Sequence, residues 1–410
     1  YLKENFQREI EDYEAYILAE VNRNIFTTGD SVIDKSIAWA KAILAVNRHY
    51  IDGTIQPMPC PAEYNFYFTH DVLLTDLAAV NFDLARVKQD LAFIINHADK
   101  EKIIPHAYYW KDSSYRTEYA TPDNWNHFWF VLLSAEYLKH SSDTSFFNEL
   151  YPFVEKSIEQ TMQNEKSGLM RAYRPDWWDI GRKFGPRSYM TILAVKALKD
   201  FIFISESLNK NRTDIGKYKS LAEKLKKNLN EKLWDKEKKY LMNYFEDGSE
   251  DTHYYMGSLL SVYFGLLDSL KAEQLMNTAE KKLKDEKIGI YTVYPMDFQK
   301  LIDFWSFAGN EAGDPFKYIN GGIWQHANAW YILSLLKIGE KEKAVKYLKK
   351  WMTIDGIINS PNGQPAMYEY RNSNFNNLKE YGKIDKPQFM WAAGWYLYCV
   401  YEIYGASGKN

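Results

Sequence analysis

The feature that most constrains this chain is a long series of helical segments joined by connections of two lengths. Apolar residues recur at helical spacing over residues 2–24, 33–50, 70–81, 83–98, 124–140, 143–164, 188–208, 214–234, 253–267, 270–283, 323–337, 340–352 and 388–404. Almost nothing in the sequence reads as a β-strand. The short connections near residues 81–83, 141–143, 209–214, 267–269 and 338–340 carry the Asn, Asp, Ser and Gly residues that cap and end helices.

Long connections alternate with these short turns. They cover residues 51–69, 99–123, 165–187, 235–252, 284–322 and 353–387, while the short turns recur about every 60 to 70 residues. Twelve helices joined in this way close into a ring of six hairpins. Because short and long connections alternate, every long connection lies on the same face of the ring. The sequence therefore predicts an all-α (α/α)6 toroid with its active site at the long-loop face.

The ring also predicts how the chain is divided into domains. A length of 410 residues would by itself predict two or three domains. A closed ring instead holds residues 31–410 in one catalytic domain, after a lead-in helix and turn at residues 1–30. The oligomeric state is left open.

The composition excludes several functions. The formal net charge is -3, and Lys-rich stretches such as 224–227 include Leu at helical spacing, as solvated helix faces do, so we expect no nucleic-acid partner. Cys60 and Cys399 are the only cysteines, and we predict no disulfide, metal or cofactor. No apolar run is long enough to cross a bilayer, so no membrane partner is expected. The chain begins at Tyr1 without Met, which indicates a processed or excised fragment, and a cytoplasmic location is only a default expectation.

Aromatic residues collect at one end of the predicted ring. Seven of the 13 Trp residues lie in the long connections or in the first turn of the helices that follow them, namely Trp110, Trp125, Trp177, Trp178, Trp305, Trp324 and Trp391. Packing of the loops alone is one explanation. The other, which we favour, is an aromatic-lined pocket, because Trp and Tyr stack on the apolar faces of sugar rings. An oligosaccharide or glycoside is therefore the expected partner.

The segment RPDWWDIGRKFGPR, residues 174–187, places two acids within one such connection. Cleavage of a glycosidic bond needs one carboxylic acid to protonate the leaving oxygen and a second carboxylate to activate water or attack directly. Asp176 and Asp179 suit the first role, since Trp177 and Trp178 could desolvate a carboxyl and raise its pKa. Alternatively, one Asp caps the turn and the other pairs with an arginine at 174 or 187.

This segment resembles the general-acid segment of six-hairpin glycosidases. It is similar to those of glucoamylases, of the amylo-α-1,6-glucosidase domain of glycogen debranching enzymes, and of cellobiose phosphorylase-type enzymes. The resemblance implies that Asp179 is the general acid and that Asp176 is a supporting carboxylate, which binds substrate or orients the loop. Debranching and phosphorylase enzymes carry a β-sandwich before the ring, and here only the 2–24 helix precedes it.

Three further segments match the clan in the same order. YNFYFTHDVLLTDLAAV, 64–80, resembles the debranching-type WFxRD, which places Asp71 at the sugar-binding Asp and His70 in place of the Arg. YINGGIWQHANAW, 318–330, resembles the GGxWP of debranching enzymes and the NGGQYTHAAxW of phosphorylases, which brings in Trp324, Gln325 and His326. PAMYEYRNSNF, from 365, resembles the last segment of the clan and places Glu369 as general base, with Glu380 as the fallback.

Together these matches predict an exo-acting inverting glycoside hydrolase that releases glucose from an α-glucoside. A separation of about 6.5 to 9.5 Å between the carboxyls of Asp179 and Glu369 would admit the attacking water. The predicted sugar site also contains Trp125, Asn126, His127, Arg187 and Trp391. An inverting disaccharide phosphorylase, with Arg182, Lys183 and His326 binding phosphate, and a non-catalytic sugar-binding toroid are the alternatives.

Overall fold

The computed structural model describes residues 2–51, 54–61, 64, 66–111, 114–118, 125–171, 176–181, 185–210, 215–300 and 312–405. The predictions that concern Arg174, Arg182, Lys183 and Trp305 lie outside these residues, and so does the side chain of Trp110.

The described chain folds into helices close to most of the predicted segments, but within the predicted helix 253–267 only residues 256–263 are helical, and a further short helix lies in the predicted long connection 353–387. They are α1 (Leu2–Asn22), α2 (Ser31–Val46), α3 (Thr69–Ala79), α4 (Leu84–His97), α5 (Asn126–Ser141), α6 (Thr144–Met162), α7 (Ser188–Ser207), α8 (Ile215–Asn228), α9 (Leu260–Tyr263), α10 (Ser269–Lys282), α11 (Gln325–Lys337), α12 (Lys341–Trp351), α13 (Ile354–Ile358) and α14 (Met390–Tyr404). A π-helical turn, Leu229–Leu233, extends α8, and a 3-10 turn, Met256–Leu259, precedes α9.

Alternate helices form a closed inner ring. Helix α3 packs on α5, α5 on α7, α7 on α9 and the turn before it, α9 on α11, α11 on α14, and α14 on α3. Every residue of α3 is buried, whereas α4 and α12 bury one face only, as expected for an inner and an outer layer. Helix α1 packs on α2 outside this ring. The predicted (α/α)6 toroid is confirmed.

Side-chain caps start several outer helices at the predicted short turns. Asp83 accepts a hydrogen bond from the backbone N–H of Arg86, Asp143 from that of Phe146, and Asp268 from that of Lys271. Each cap satisfies an N–H group that the first helical turn leaves without a partner. These turns lie at the end of the toroid opposite the long connections.

The long connections contain short β-hairpins, which the sequence did not predict. The strands are β1 (Arg48–Ile51), β2 (Thr54–Pro57), β3 (Phe66–Phe68), β4 (Ala107–Lys111), β5 (Ser114–Glu118), β6 (Glu165–Lys166), β7 (Leu169–Met170), β8 (Trp234–Asp235), β9 (Tyr240–Leu241), β10 (Asn243–Tyr244), β11 (Glu250–Asp251), β12 (Tyr254–Tyr255), β13 (Lys284–Asp285), β14 (Gly289–Ile290), β15 (Val293–Tyr294), β16 (Ile323–Trp324), β17 (Tyr368–Arg371) and β18 (Ile384–Pro387). Many have two residues, too few to produce a detectable alternation of apolar and polar side chains.

Two antiparallel sheets bring distant connections together. In one, β4 pairs with β3 and β5, and Phe68 lies opposite Ala107. In the other, β17 pairs with β16 and β18, and Trp324 lies opposite Tyr370. Each sheet leads directly into an inner helix, α3 or α11. Among the described helices, not one has the length and apolar character that a bilayer crossing requires.

Candidate active site

A cavity of about 150 Å³ lies where the long connections enter the inner helices. The predicted site residues that line it are His70, Asp71, Trp125, Trp177, Trp178, Asp179, Trp324, His326, Glu369 and Trp391. The sequence analysis did not single out Tyr64, Phe68, His106, Tyr318 or Phe389, which also line it. Residues from seven separate stretches of the chain therefore share one cavity.

Asp179 lies in the connection before α7, and its side chain is 36% exposed. Its Oδ2 is 3.0 Å from Nε2 of His106, the last residue before β4. The Nδ2 amide of Asn126 donates to His106 Nδ1 over 3.2 Å, so Nε2 carries the ring proton and donates to Asp179. His106 thus fixes the orientation of the predicted general acid.

Asp176 anchors the same connection from behind. It is fully buried, and its Oδ2 accepts a hydrogen bond from the backbone N–H of Gly257 over 3.4 Å. A Cβ atom at position 257 would lie 2.6 Å from Asp176 Oδ1, so this close approach requires glycine. Burial raises the pKa of Asp176 to about 8, against the opposing effects of the Gly257 N–H and of Arg187. Asp176 therefore orients the loop, and the predicted substrate contact is not supported.

Glu369 lies on β17 and lines the same cavity as Asp179. The Tyr64 hydroxyl donates to its Oε1 over 3.1 Å. Burial raises the pKa of Glu369 to about 8, and although the Tyr64 hydrogen bond opposes this shift, the nearby Asp385 and Asp179 add to it. The fallback base, Glu380, lies in the loop between β17 and β18, where it forms a 2.5 Å ion pair with Lys383 outside the cavity.

Asp71 is the third carboxyl in the cavity. It lies in the first turn of α3, and burial raises its pKa well above the usual value, with further contributions from Glu369 and Asp179. A hydrogen bond with Trp391 acts in the opposite direction. Three carboxyls therefore interact electrostatically in one small volume, which favours at least partial protonation at neutral pH.

Both histidines of the cavity floor are neutral. Trp125 donates its indole N–H to His70 Nε2 over 3.1 Å, which leaves the ring proton of His70 on Nδ1. Burial lowers the pKa of His70 to about 3 and that of His326 well below its usual value. The charged arginine of the debranching-type motif is thus replaced by an uncharged ring.

The cavity wall is a continuous set of aromatic rings. The ring centroids of Trp177 and Trp324 are 4.6 Å apart, and those of Trp324 and Trp391 are 5.7 Å apart with planes only 10° from parallel. His326 packs against Trp391 at 3.9 Å. Such a wall offers flat apolar surface next to carboxyl groups, the combination that sugar rings need.

Four other predicted ligands lie behind the cavity lining. Asn126 holds His106, His127 is buried in α5, and Gln325 donates to the backbone oxygen of Trp351 over 3.5 Å. Arg187 forms a buried ion pair with Asp251. Each of the four lies in or next to the first turn of an inner helix, but none of them lines the cavity.

The Arg187 ion pair belongs to a buried network behind Trp178. His253 contacts Asp251 through Nδ1 at 2.7 Å and Asp297 through Nε2 at 2.8 Å. Burial disfavours the charged imidazole, but the hydrogen bonds to both carboxylates outweigh it and raise the pKa of His253. Its neighbour Phe298 packs on Trp178, so the network supports one wall of the cavity.

Comparison with known proteins agrees with this geometry. The model of the glycosyl hydrolase 94 superfamily catalytic domain matches residues 85–402. The chain belongs to the glycosyl hydrolase 94 superfamily. N,N'-diacetylchitobiose phosphorylase from Vibrio proteolyticus is 23% identical to this superfamily member over 300 residues, which are 67% of this chain and 37% of that relative. The chain therefore spans little more than a third of that relative's length.

Solved structures of glycosidases share the fold of this superfamily member. GH63 mannosylglycerate hydrolase from Thermus thermophilus, in complex with glucose, has a TM-score of 0.66 at 13% sequence identity. The match covers 88% of this chain and 98% of the hydrolase chain. A rhamnosidase from Klebsiella oxytoca with rhamnose bound has a TM-score of 0.64 at 15% identity, over 90% of this chain and 64% of its own. At such identities the similarity shows the fold, and the predicted six-hairpin resemblance is confirmed.

Proposed function

We propose that this chain is the catalytic domain of an exo-acting, inverting glycoside hydrolase that releases a terminal sugar, glucose from an α-glucoside. One observation carries the proposal: the carboxyls of Asp179 and Glu369 line the same aromatic-walled cavity, from two unrelated stretches of chain. Membership of a superfamily named for glycosyl hydrolases supports chemistry on glycosides. The choice of glucose and of an α linkage follows the resemblance to glucoamylases and debranching enzymes.

The two carboxyls would divide the reaction between them. Asp179 protonates the glycosidic oxygen as the bond breaks, and Glu369 removes a proton from the water that attacks the anomeric carbon from the opposite side. The sugar configuration inverts because attack and departure occur on opposite faces. Asp71 accepts hydrogen bonds from sugar hydroxyls, while Trp324 and Trp391 bind an apolar face of the ring.

Before the reaction, the proton must move from Glu369 to Asp179. Burial keeps the proton on Glu369 in the free protein at neutral pH, whereas the reactive form carries it on Asp179. Positive charge that develops on the sugar ring favours ionised Glu369, so the transition state selects the reactive form. Loss of the single shared proton ends the reaction.

Cavity size and charge support an exo-acting enzyme on uncharged sugars. A volume of about 150 Å³ is comparable to cavities that accept one small ring, and it is too small for several sugar units. Among the described lining residues, none carries an ammonium or guanidinium group, and three are acids. An anionic sugar would therefore bind poorly here.

An inverting disaccharide phosphorylase is the second candidate. It is supported by the superfamily, by the similarity to a chitobiose phosphorylase, and by His326 at the position that matches the phosphorylase motif. The described part of the cavity opposes it, since phosphate would meet three carboxyls and two neutral histidines. Arg182 and Lys183, the other predicted phosphate ligands, lie outside the described residues.

A single pair of incubations tests the choice. The protein is mixed with α-linked glucose disaccharides, with and without inorganic phosphate, and products are followed by NMR. We expect phosphate-independent release of β-glucose as the first product. Phosphate-dependent formation of glucose 1-phosphate would replace the hydrolase by the phosphorylase, and release of the non-reducing glucose unit as the α-anomer would exclude inversion.

The Glu369→Gln variant gives an independent test. Hydrolysis needs a base to activate water, whereas phosphate is already a nucleophile, so this variant loses hydrolysis by at least about 100-fold. Azide supplies a small nucleophile in place of activated water and would restore turnover as an inverted glycosyl azide. Undiminished turnover by Glu369→Gln would contradict the proposed base.

A sugar-binding toroid without catalysis predicts instead that neither Glu369→Gln nor Asp179→Asn changes any biological output.

A further inference from the structure

His106 is the cavity residue whose contacts the reaction described above leaves unused. It is 5% exposed, and it lies between Asn126, which donates to Nδ1 at 3.2 Å, and Asp179, whose Oδ2 is 3.0 Å from Nε2. Its backbone oxygen accepts a hydrogen bond from the N–H of Thr69 at 2.9 Å, which ties it to the start of α3. Each ring nitrogen therefore has a partner, the backbone is fixed at α3, and one ring N–H is directed at the acid.

We propose that His106 is a positioning residue that strengthens proton donation by Asp179. This inference rests on the proposed role of Asp179 as general acid, and it applies equally to hydrolysis and to phosphorolysis, because both protonate the leaving oxygen. It names a residue that neither the sequence motifs nor the superfamily match singles out.

The contact selects the oxygen that carries the acidic proton. Because Nε2–H donates to Oδ2, that oxygen acts as the carbonyl oxygen of the protonated acid, and the proton lies on Oδ1. Oδ1 is then the atom that would donate the proton to the glycosidic oxygen. Asn126 maintains this choice, since its amide N–H keeps the ring proton of His106 on Nε2.

The same contact changes in strength during the reaction. As the O–H bond of Asp179 breaks and a new O–H bond forms on the leaving oxygen, Asp179 becomes a carboxylate, and the hydrogen bond from His106 becomes charge-assisted. Hydrogen bonds to charged groups are about twice as strong as neutral ones. His106 therefore stabilises the transition state more than the reactive form in which Asp179 still holds the proton, and this lowers the barrier from that form. No proton leaves His106, and the only proton transferred is that of Asp179.

This account predicts a dependence on the leaving group. A glycosyl fluoride departs with little protonation, whereas an O-linked sugar requires it. His106→Phe keeps a planar ring but removes the donor, so we expect kcat, which starts from bound substrate, to fall about 10- to 100-fold on an α-linked glucose disaccharide and less than about threefold on α-glucosyl fluoride. A merely structural role would lower both values by the same factor.

Two polar substitutions at position 106 distinguish loss of the hydrogen-bond donor from loss of the fold. His106→Gln retains an N–H that can reach Asp179 and should keep most activity on the disaccharide, whereas His106→Asn is shorter and should behave like the Phe variant. These two polar variants serve as the test if His106→Phe does not fold, as judged by thermal unfolding.

Asp179→Asn is the reference for the acid itself. It should lose the disaccharide reaction and retain the fluoride reaction. If Asp179→Asn loses both equally, the assignment of the acid fails, and the role of His106 fails with it. If Asp179→Asn is selective but the His106 variants are not, the acid stands and the proposal for His106 is overturned.

Discussion

Arg187 donates from Nη1 to Oδ2 of Asp251 over 2.6 Å, and neither side chain is exposed to solvent. Asp251 also accepts hydrogen bonds from His253 and from the Tyr255 hydroxyl at 2.7 Å. Burial opposes its ionisation, but these contacts outweigh it and lower the pKa of Asp251. Arg187 is therefore part of the frame behind Trp178 rather than a sugar ligand.

Removal of this guanidinium should destabilise the protein. Arg187→Met leaves the Asp251 carboxylate buried with fewer donors, and breaking a buried ion pair from one side costs about 3 kcal/mol or more. Urea unfolding measures the difference. Lys219→Met is the control, because its ion pair with Glu206 is more than half exposed and should contribute less than about 1 kcal/mol. Equal losses in the two variants would contradict the assignment.

The two acids of the Trp-Trp loop should respond differently to amide substitution. Because burial raises the pKa of Asp176 to about 8, it is mainly protonated at neutral pH, and Asp176→Asn replaces a neutral group by another of similar shape. We expect it to retain activity within about tenfold on an O-linked disaccharide, while Asp179→Asn loses at least about 100-fold. Steady-state kinetics at pH 7 compares them. The reverse order would exchange the roles of the two residues.

The pH profile of kcat/KM should fall on the alkaline side near pH 8. The carboxyl pair of Asp179 and Glu369 reacts with one proton bound, and the pKa of about 8 at Glu369 sets where that proton is lost. Activity is therefore present below this pH and decreases tenfold per pH unit above it. An alkaline limb that begins below pH 6 would contradict the raised pKa.

The same raised pKa makes a prediction about stability. The pKa of Glu369 is about 8 in the folded protein against a usual value of 4.5, so the folded chain retains a proton that the unfolded chain releases between these values. Wild-type stability therefore decreases as pH rises from 4.5 to 8, and Glu369→Gln escapes this loss. We expect the variant to be more stable than wild type at pH 9, by on the order of 3 kcal/mol, and equal to it at pH 4. A difference that does not vary with pH would refute the buried-acid assignment.

Three histidines should titrate in opposite directions from the usual value of 6.5. Burial lowers the pKa of His70 to about 3 and that of His326 well below 6.5, whereas two carboxylates raise that of His253. NMR of ring-labelled histidine, with each resonance assigned by substitution, measures all three. The carboxylate contacts of His253 contribute stability below pH 6.5 that is lost as pH rises through its higher folded value. A His70 pKa near 6.5 would contradict the burial of its imidazole away from water.

The ring and its active face were predictable because their signals are long and repeated. Segments such as 70–81 and 188–208 extend over several turns, so apolar spacing identifies them, and the alternation of short and long connections fixes which ends meet. The short strands were not predictable. Strand β16 has two residues, and its pairing with β17 depends on contacts between residues far apart in the chain, such as Trp324 and Tyr370.

The site was only partly predictable for a geometric reason. Successive residues in a helix point about 100° apart, so nearness to the first turn does not tell which side chain faces the axis. Trp125 and His326 line the cavity, whereas their neighbours Asn126 and Gln325 do not. His106 carried no motif at all, since its contact with Asp179 joins two connections that are far apart in the chain.

The direction of the inner helices has an electrostatic consequence. Helices α3, α5, α11 and α14 begin at residues that line or adjoin the cavity, so each places a partial positive charge of about half an elementary charge at that end. The backbone dipoles therefore favour negative charge on the carboxyl groups that lie next to these helix ends. These dipoles offset part of the repulsion among the three acids, but the raised pKa values of Asp71 and Glu369 mean that burial and the neighbouring carboxyls outweigh them.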